Sequence, residues 1–479
     1  MLFNSPEFVL GFLPAALAGF FLAGRLGGNC WALGWLVGAS LFFYGWWNPP
    51  FVLLLAGSIV ANYALGQQIQ RRRSRVWLTA GVAANLALLG WFKYANFLIH
   101  DVARLDAPEL HIFLPLAISF FTFQQIMYLV ESFHGDRTHS GLLPYAAFVA
   151  FFPHLIAGPI VRPREIMPQL LAADLTVPRA DHIADGMTIF LLGLAKKLVL
   201  ADTFARFSDV GFAAAAQRAP LTLFEAWYAA ASYALQIYFD FSGYSDMAIG
   251  LARMLNVRFP LNFASPYQAT DIADFWRRWH ITLSRFLRDH VYIPLGGNRH
   301  GEGRRNANLL TTMLLGGLWH GAAWNFILWG GLHGFYLVVQ RLFPWRLPAV
   351  LGRALTVVAV VVAWVPFRAN GWDATVTMLR GMAGCNGIAL PQMIVRAFPP
   401  LAMVASPVPL LPYLGDARTL SFPEVTACLL LGWVIVLALP SVHELSERMR
   451  GWVLTGGFAF TVQALFFAPH VTPFLYFQF

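Results

Sequence analysis

The stretch Ala354–Phe367 reads ALTVVAVVVAWVPF, an apolar run without a single charge. Phe51–Gly66 (FVLLLAGSIVANYALG) and Val425–Pro440 (VTACLLLGWVIVLALP) have the same character. A membrane barrel would alternate polar and apolar residues in segments of about 10. These runs do not alternate, so they read as the apolar centres of helices that cross a bilayer, each of which takes about 20 mostly apolar residues.

The composition of the whole chain agrees. Of its 479 residues 58% are hydrophobic, 15% aromatic and only 12% charged. Soluble domains carry about 25% charged residues, and half of that cannot clothe a surface of this size in water. The same numbers exclude a disordered chain. Lys and Arg number 33 against 24 Asp and Glu, a net charge of +9. In a membrane protein that excess is explained by basic cytoplasmic loops, and no nucleic-acid partner is needed. The three cysteines, Cys30, Cys385 and Cys428, lie far apart without a CxxC pair, so neither a disulfide framework nor a zinc site is indicated.

The fold class is therefore all-α and polytopic, with about 11–12 transmembrane helices plus re-entrant or interfacial pieces. Candidate spans are Phe8–Ala23, Cys30–Trp47, Phe51–Gly66, Val76–Ile99, Ile112–Val130, Thr188–Ala201 and Ala226–Leu251. Further along come Leu309–Trp319, Ala322–Val339, Leu351–Phe367, Val425–Pro440 and Trp452–Phe467. Met1–Gly24 reads as a retained span, not a cleaved signal peptide. Arg71, Arg72, Arg73 and Arg75 crowd a short loop; if it is cytoplasmic, the N-terminus and the acidic stretch Asp101–Glu109 lie outside.

Two regions break the pattern. Phe148–Pro159 is apolar but short, which suits a re-entrant or interfacial segment. Arg253–Asn308 carries nine Arg and four acidic residues, which places it on the cytoplasmic face. No internal repeat stands out, so the two related halves of many transporters find no support.

Among the thirteen histidines, His100, His111, His134, His139, His182, His300 and His443 fall in polar connections, where a solvated side chain is expected. His320 is different. It lies in LLGGLWHGAAWN (Leu314–Asn325), an ionisable group in an apolar stretch between glycines and tryptophans. Such a group is costly at membrane depth and is a functional candidate by default. A neutral imidazole there could take a proton from a hydroxyl, and Gly316, Gly317 and Gly321 would let a substrate or a backbone come close. A core histidine bonded to a neighbouring helix remains the other reading.

His280 is the second candidate, in DFWRRWHITLSRFLRD (Asp274–Asp289). On one continuous helix, Arg277, Arg278, Arg285 and Arg288 would surround it with positive charge suited to phosphate. The alternative is an interfacial helix with Trp anchors and a snorkelling basic face. Other templates fail: there is no HExxH, Ser245 lacks the closing glycine of a nucleophile elbow, and no glycine-rich phosphate loop ends in Lys. No metal site is indicated.

Five runs taken together resemble the membrane-bound O-acyltransferase superfamily, and its bacterial alginate O-acetyltransferase branch in particular. They are Leu114–Glu131, Phe151–Glu165, Tyr238–Ala252, Asn262–Arg299 (with WRRWH) and Leu314–Asn325 (with GLWHG), so the likeness covers nearly the whole chain. The resemblance implies one membrane domain over 1–479, a ring of tilted helices around a central tunnel. Its N-terminal helices would occupy 1–110, the catalytic core 111–342, and the C-terminal helices with an aromatic tail 343–479.

It further implies His320 as the catalytic base and His280 as a second functional residue. The acetyl donor would be cytoplasmic acetyl-CoA, with Arg277, Arg278, Arg285 and Arg288 as candidate donor-binding residues and no resident cofactor. The chain would sit in membrane lipid of the bacterial inner membrane and serve an extracellular polysaccharide of alginate or cellulose type. Its partners would be a periplasmic SGNH or esterase-like acetyltransferase and the polysaccharide secretion complex. Peptidoglycan O-acetylation and D-alanylation are the alternatives within the class, and a transporter without bond chemistry is the alternative outside it. The tail FLYFQF (Phe474–Phe479) resembles the end of the small acyl-relay peptide of D-alanylation systems. This makes Tyr476 a candidate acyl relay, against the plainer reading of an interfacial aromatic anchor.

Overall fold

The computed structural model describes residues 1–135, 141–344, 347–403, 405–408, 422–467 and 472–475. The chain is built of helices: α1 (Leu13–Gly45), α2 (Pro50–Arg72), α3 (Arg75–Leu89), α4 (Ile118–His134), α5 (Leu142–Ala150) and α6 (Phe152–Leu155). Then follow α7 (Pro163–Leu170), α8 (Ala180–Ala195), α9 (Asp202–Ala216), α10 (Leu223–Met254), α11 (Ile272–Arg278) and α12 (Ile281–Leu287). The C-terminal part adds α13 (Gly301–His320), α14 (Trp324–Leu342), α15 (Ala349–Arg368), α16 (Gly371–Met382), α17 (Gln392–Ala397), α18 (Phe422–Ala438) and α19 (Glu447–Phe467). Two three-residue strands, β1 (Ala389–Pro391) and β2 (Ser406–Val408), pair in parallel with Ala389 opposite Ser406.

Every candidate span overlaps a helix. By length and composition, four helical runs among the described residues are apolar enough to cross a membrane: Glu7–Gly45, Pro50–Arg72, Arg75–Tyr94 and Ala349–Arg368. Others are diluted by polar residues that the protein buries, such as Gln236, Asp240 and Asp246 on α10. One expected span is shorter than its apolar run. Ile112–Val130 becomes helical only at Ile118, because Pro115 has no N–H to donate and disfavours helix at the residue before it.

The chain divides into two compact units. The first comprises Met1–Ala195, Ser242–Asn262 and the stretch from Leu445 on. In it, α1 is two helices, interrupted at Gly27 and at Gly28, whose φ of +70° needs a glycine. The two limbs pack on each other: Trp35 Nε1 donates to the Ala16 carbonyl (3.1 Å), and Met1 and Trp46 line one pocket. Helices α2, α3 and α4 are joined by a buried amide network in which Asn85 Nδ2 donates to Asn62 Oδ1 (2.6 Å). Ser58 Oγ donates to Gln125 Oε1 (2.9 Å), and Asn62 also donates to Gln125. Polar side chains between helices act in this way where no water can satisfy them.

The short apolar segment around Phe148–Pro159 forms α5 and α6 and is buried inside this unit, which is how its broken backbone is tolerated. His154 sits there fully buried with both ring nitrogens engaged, by Gln124 Nε2 (2.8 Å) and the Phe148 carbonyl (3.0 Å). It is a satisfied core histidine. His182, expected in solvent, is buried instead, 2.8 Å from Asn256 Oδ1. The helix α8 begins two residues before it and turns that position inward.

The second unit comprises Lys196–Phe241 and Phe263–Glu444. Helices α13 and α14 form its hairpin, with α15 against α14 and α16 against α9. A buried Lys197 donates to Asp202 Oδ1 (2.9 Å) and to Asp240 Oδ1 (2.8 Å).

Candidate active site

The second unit contains both histidines singled out in the sequence and brings them together. His320 is the last residue of α13, 5% exposed. The chain then runs extended through Gly321 and Ala323 before α14 begins. The hairpin is tight because of its glycines. A Cβ on Gly317 would lie 2.3 Å from the Phe326 carbonyl, and one on Gly330 the same distance from that of Met313. Only glycine permits that approach of two backbones. Gly321 is pressed in the same way against the ring of Phe326.

Around His320 the walls are aromatic. Trp329 meets the imidazole nearly edge-on at 5.0 Å between centroids, and Phe367 at 5.1 Å. Phe367 is held there by Asn325, whose amide donates to the carbonyls of Pro366 and Ala369 at 3.0 Å each. The first turn of α14 thereby fixes the end of α15.

His280 arrives by another route. The expected continuous helix does not form: α11 ends at Arg278, Trp279 is extended, and His280 takes the left-handed conformation with φ of +43° before α12 starts. Asp271 caps α11 through Asp274 N (2.7 Å), and Ser284 N donates to the His280 carbonyl (3.0 Å) to open α12. A non-glycine residue at positive φ is uncommon, and such strain persists where the surroundings impose it, often at functional sites. The bend turns the imidazole inward to complete burial, 4.7 Å from the Phe241 ring and 6.5 Å from the His320 ring.

The break also redistributes the arginines. Rings packed on His280 include Phe241, Trp319 and His320. Asp274 takes Arg278 at 2.9 Å and Arg277 at 3.3 Å. Arg288 pairs with Asp289 at 2.8 Å, which holds its guanidinium above the ordinary value, and Arg285 is half-buried on α12. Arg288 also lines a pocket of about 310 Å³ with Trp276, Ser284, Leu287, Tyr292 and Met313.

Tyr476 lies outside the described residues. The two residues before it do not dangle: Phe474 and Leu475 are buried in the first unit, with the Phe474 ring 4.6 Å from that of Tyr244. The sequence reading passed over Trp329 and His333, both buried beside His320's hairpin. His333 carried the signal that marked His320, an ionisable residue within an apolar helix.

Two buried imidazoles thus stand together beside a glycine-tight helix hairpin, in a chain with helices apolar enough to cross a membrane. Residues 84–350 match the model of the MBOAT, membrane-bound O-acyltransferase family, and the chain belongs to that family. It is 39% identical to the peptidoglycan O-acetyltransferase of Helicobacter pylori, over 100% of this chain and 98% of that one. It is 43% identical to a probable alginate O-acetylase of Pseudomonas aeruginosa, over 80% and 75% of the two chains. A teichoic acid D-alanyltransferase of Bacillus subtilis is 26% identical over 65% and 79%. The protein is thus a membrane O-acyltransferase.

Proposed function

We propose that the chain moves acetyl from cytoplasmic acetyl-CoA across the bacterial inner membrane for O-acetylation of an extracytoplasmic polysaccharide. The observation that carries the reading is the pairing of His320 with His280 at 6.5 Å inside a buried aromatic site. His320 takes the proton of an acceptor hydroxyl, whose oxygen attacks the thioester carbonyl. The C–S bond breaks and the leaving thiolate takes the proton back from the imidazolium, so charge and protons balance. Arg288 at its pocket is the arginine best placed for a phosphate of the donor, with Arg277, Arg278 and Arg285 on the same segment.

The acceptor first in line is an exopolysaccharide of alginate or cellulose type. Peptidoglycan is the second reading, favoured by the relative that matches over the full length. In either case Tyr476 is the proposed relay, since an acetylated phenol stays activated for a second transfer, here to a periplasmic esterase-like partner. The test is free CoA release from acetyl-CoA by the purified chain in liposomes. Replacing His320 by Ala should lower it by roughly 10²–10⁴-fold, the usual worth of a general base. Release unchanged in that variant would overturn His320 as the base; no release even with the partner present would overturn acetyl-CoA as the donor.

A further inference from the structure

His333 is fully buried on α14, and its Nδ1 accepts a hydrogen bond from Trp276 Nε1 at 3.2 Å. A neutral imidazole that accepts at Nδ1 carries its proton on Nε2. That Nε2 has no hydrogen-bond partner among the described residues. Leaving a buried N–H unpaired costs free energy that a leucine at this position would avoid. Filling space therefore does not account for the imidazole; its hold on Trp276 does.

Trp276 and Trp329 are the two indoles that matter here. Trp276 is on the wall of the 310 Å³ pocket that Arg288 also lines. Trp329 stands edge-on to His320. His333 touches both, each at 5.1 Å between centroids, and its ring lies parallel to that of Phe275 at 6.1 Å. One side chain thus fixes the indole at the pocket and the indole at the base.

We infer that His333 is a positioning residue for the acyl donor: by accepting from Trp276 it sets the wall against which the donor's thioester arm lies, within reach of His320. The inference rests on the reading of this chain as a His320-dependent acetyltransferase. It gives the pocket a definite role in binding and gives His333 none in bond making.

The test is a KM and kcat series for acetyl-CoA on the full chain, with His333→Asn, His333→Leu, Trp276→Phe and the Leu/Phe double variant. Asn can place its Oδ1 where Nδ1 was and accept from the indole. His333→Leu and Trp276→Phe should each raise KM by roughly 5–20-fold with kcat within about threefold, the pattern of lost binding and not of lost chemistry. The double variant should be no worse than either single one, because both remove one shared bond. His333→Asn should stay within about threefold of the unmodified chain if the acceptor is what counts.

A silent His333→Leu, a fall in kcat at constant KM, additive losses, or an Asn variant as impaired as the Leu variant would each overturn the inference. Should His333→Leu fail to fold, Trp276→Phe and His333→Asn decide it by the same criteria. If the unmodified chain releases no CoA, the donor assignment has failed. The variants are then scored by the ester-linked acetate that cells expressing them place on their glycans. There His333→Asn must match the unmodified chain and Trp276→Phe must fall below it, and any other order overturns the inference.

Discussion

The imidazoles of His280 and His320 lie 6.5 Å apart between centroids, one delivered by a left-handed junction between two short helices, the other by the final residue of a long one. The second placement depends on helix packing, the first on a single backbone angle. The two histidines therefore respond differently to substitution.

At His280 the side chain and the backbone can be separated. Asn tolerates positive φ, whereas a β-branched residue does not, at a cost of roughly 1–2 kcal/mol. His280→Asn should melt within a degree or two of the unmodified chain while losing turnover, and His280→Val should lose both. Thermal unfolding in detergent beside the CoA assay checks this. A Val variant with an unaltered melting temperature would show that the junction relaxes freely.

The hairpin that carries His320 leaves no room at Gly317. Gly317→Val drives a side chain into the Phe326 carbonyl and should cost about 1–3 kcal/mol, displacing His320 and abolishing activity. Gly331 makes the contrast, because a Cβ there would meet Leu314 at an ordinary 3.5 Å. Gly331→Ala should be neutral or stabilising by up to about 1 kcal/mol, as expected for Ala replacing Gly within a helix. Equal loss in both variants would dismiss the close approach as the reason.

Lys197 is the cation between Asp202 and Asp240. Lys197→Met strips both carboxylates of that charge and should destabilise by roughly 3–5 kcal/mol, the usual result of removing one side of a buried pair. Asp240→Asn should be milder, because Asp202 still balances the lysine. The ranking of the two melting temperatures is the readout, and the reverse order would mean that Asp240 answers to a different charge.

Tyr476→Phe keeps an aromatic ring and removes the hydroxyl. If Tyr476 carries acetyl, this variant should still fold and reach the membrane but fail to acetylate the polymer, and mass spectrometry should find acetyl on the unmodified peptide alone. Polymer acetylation at the normal level by the Phe variant would remove the relay and leave the acetyltransferase.

Much of this molecule is legible in its sequence, for reasons that differ by residue. Apolar runs such as Ala354–Phe367 become helices because lipid leaves the backbone no other way to satisfy itself. His320 stands out because an ionisable group is costly in such a run, and the same signal marks His333, which also has glycines beside it at Gly330, Gly331 and Gly334 and was passed over all the same. The bend at Trp279–His280 was not legible: DFWRRWHITLSRFLRD has neither Gly nor Pro to mark a break, and tertiary packing of Phe241, Phe263 and Trp279 overrides what local propensity would give. His182 misled for the converse reason, a polar neighbourhood in sequence that becomes a helix face turned inward.

The interruption at Gly27–Gly28 has a bearing on which compartment each later loop enters. The first apolar element is a pair of limbs packed on each other; if each limb crosses the bilayer, it returns the chain to the face it left and contributes nothing to the parity of crossings. Helix α2, which follows from that face, is then the step that carries Arg71–Arg75 to the other side. Reporter domains fused after Trp47 and after Arg73 would report opposite compartments, and closing the Gly27–Gly28 break into one straight helix would invert the address of every loop downstream.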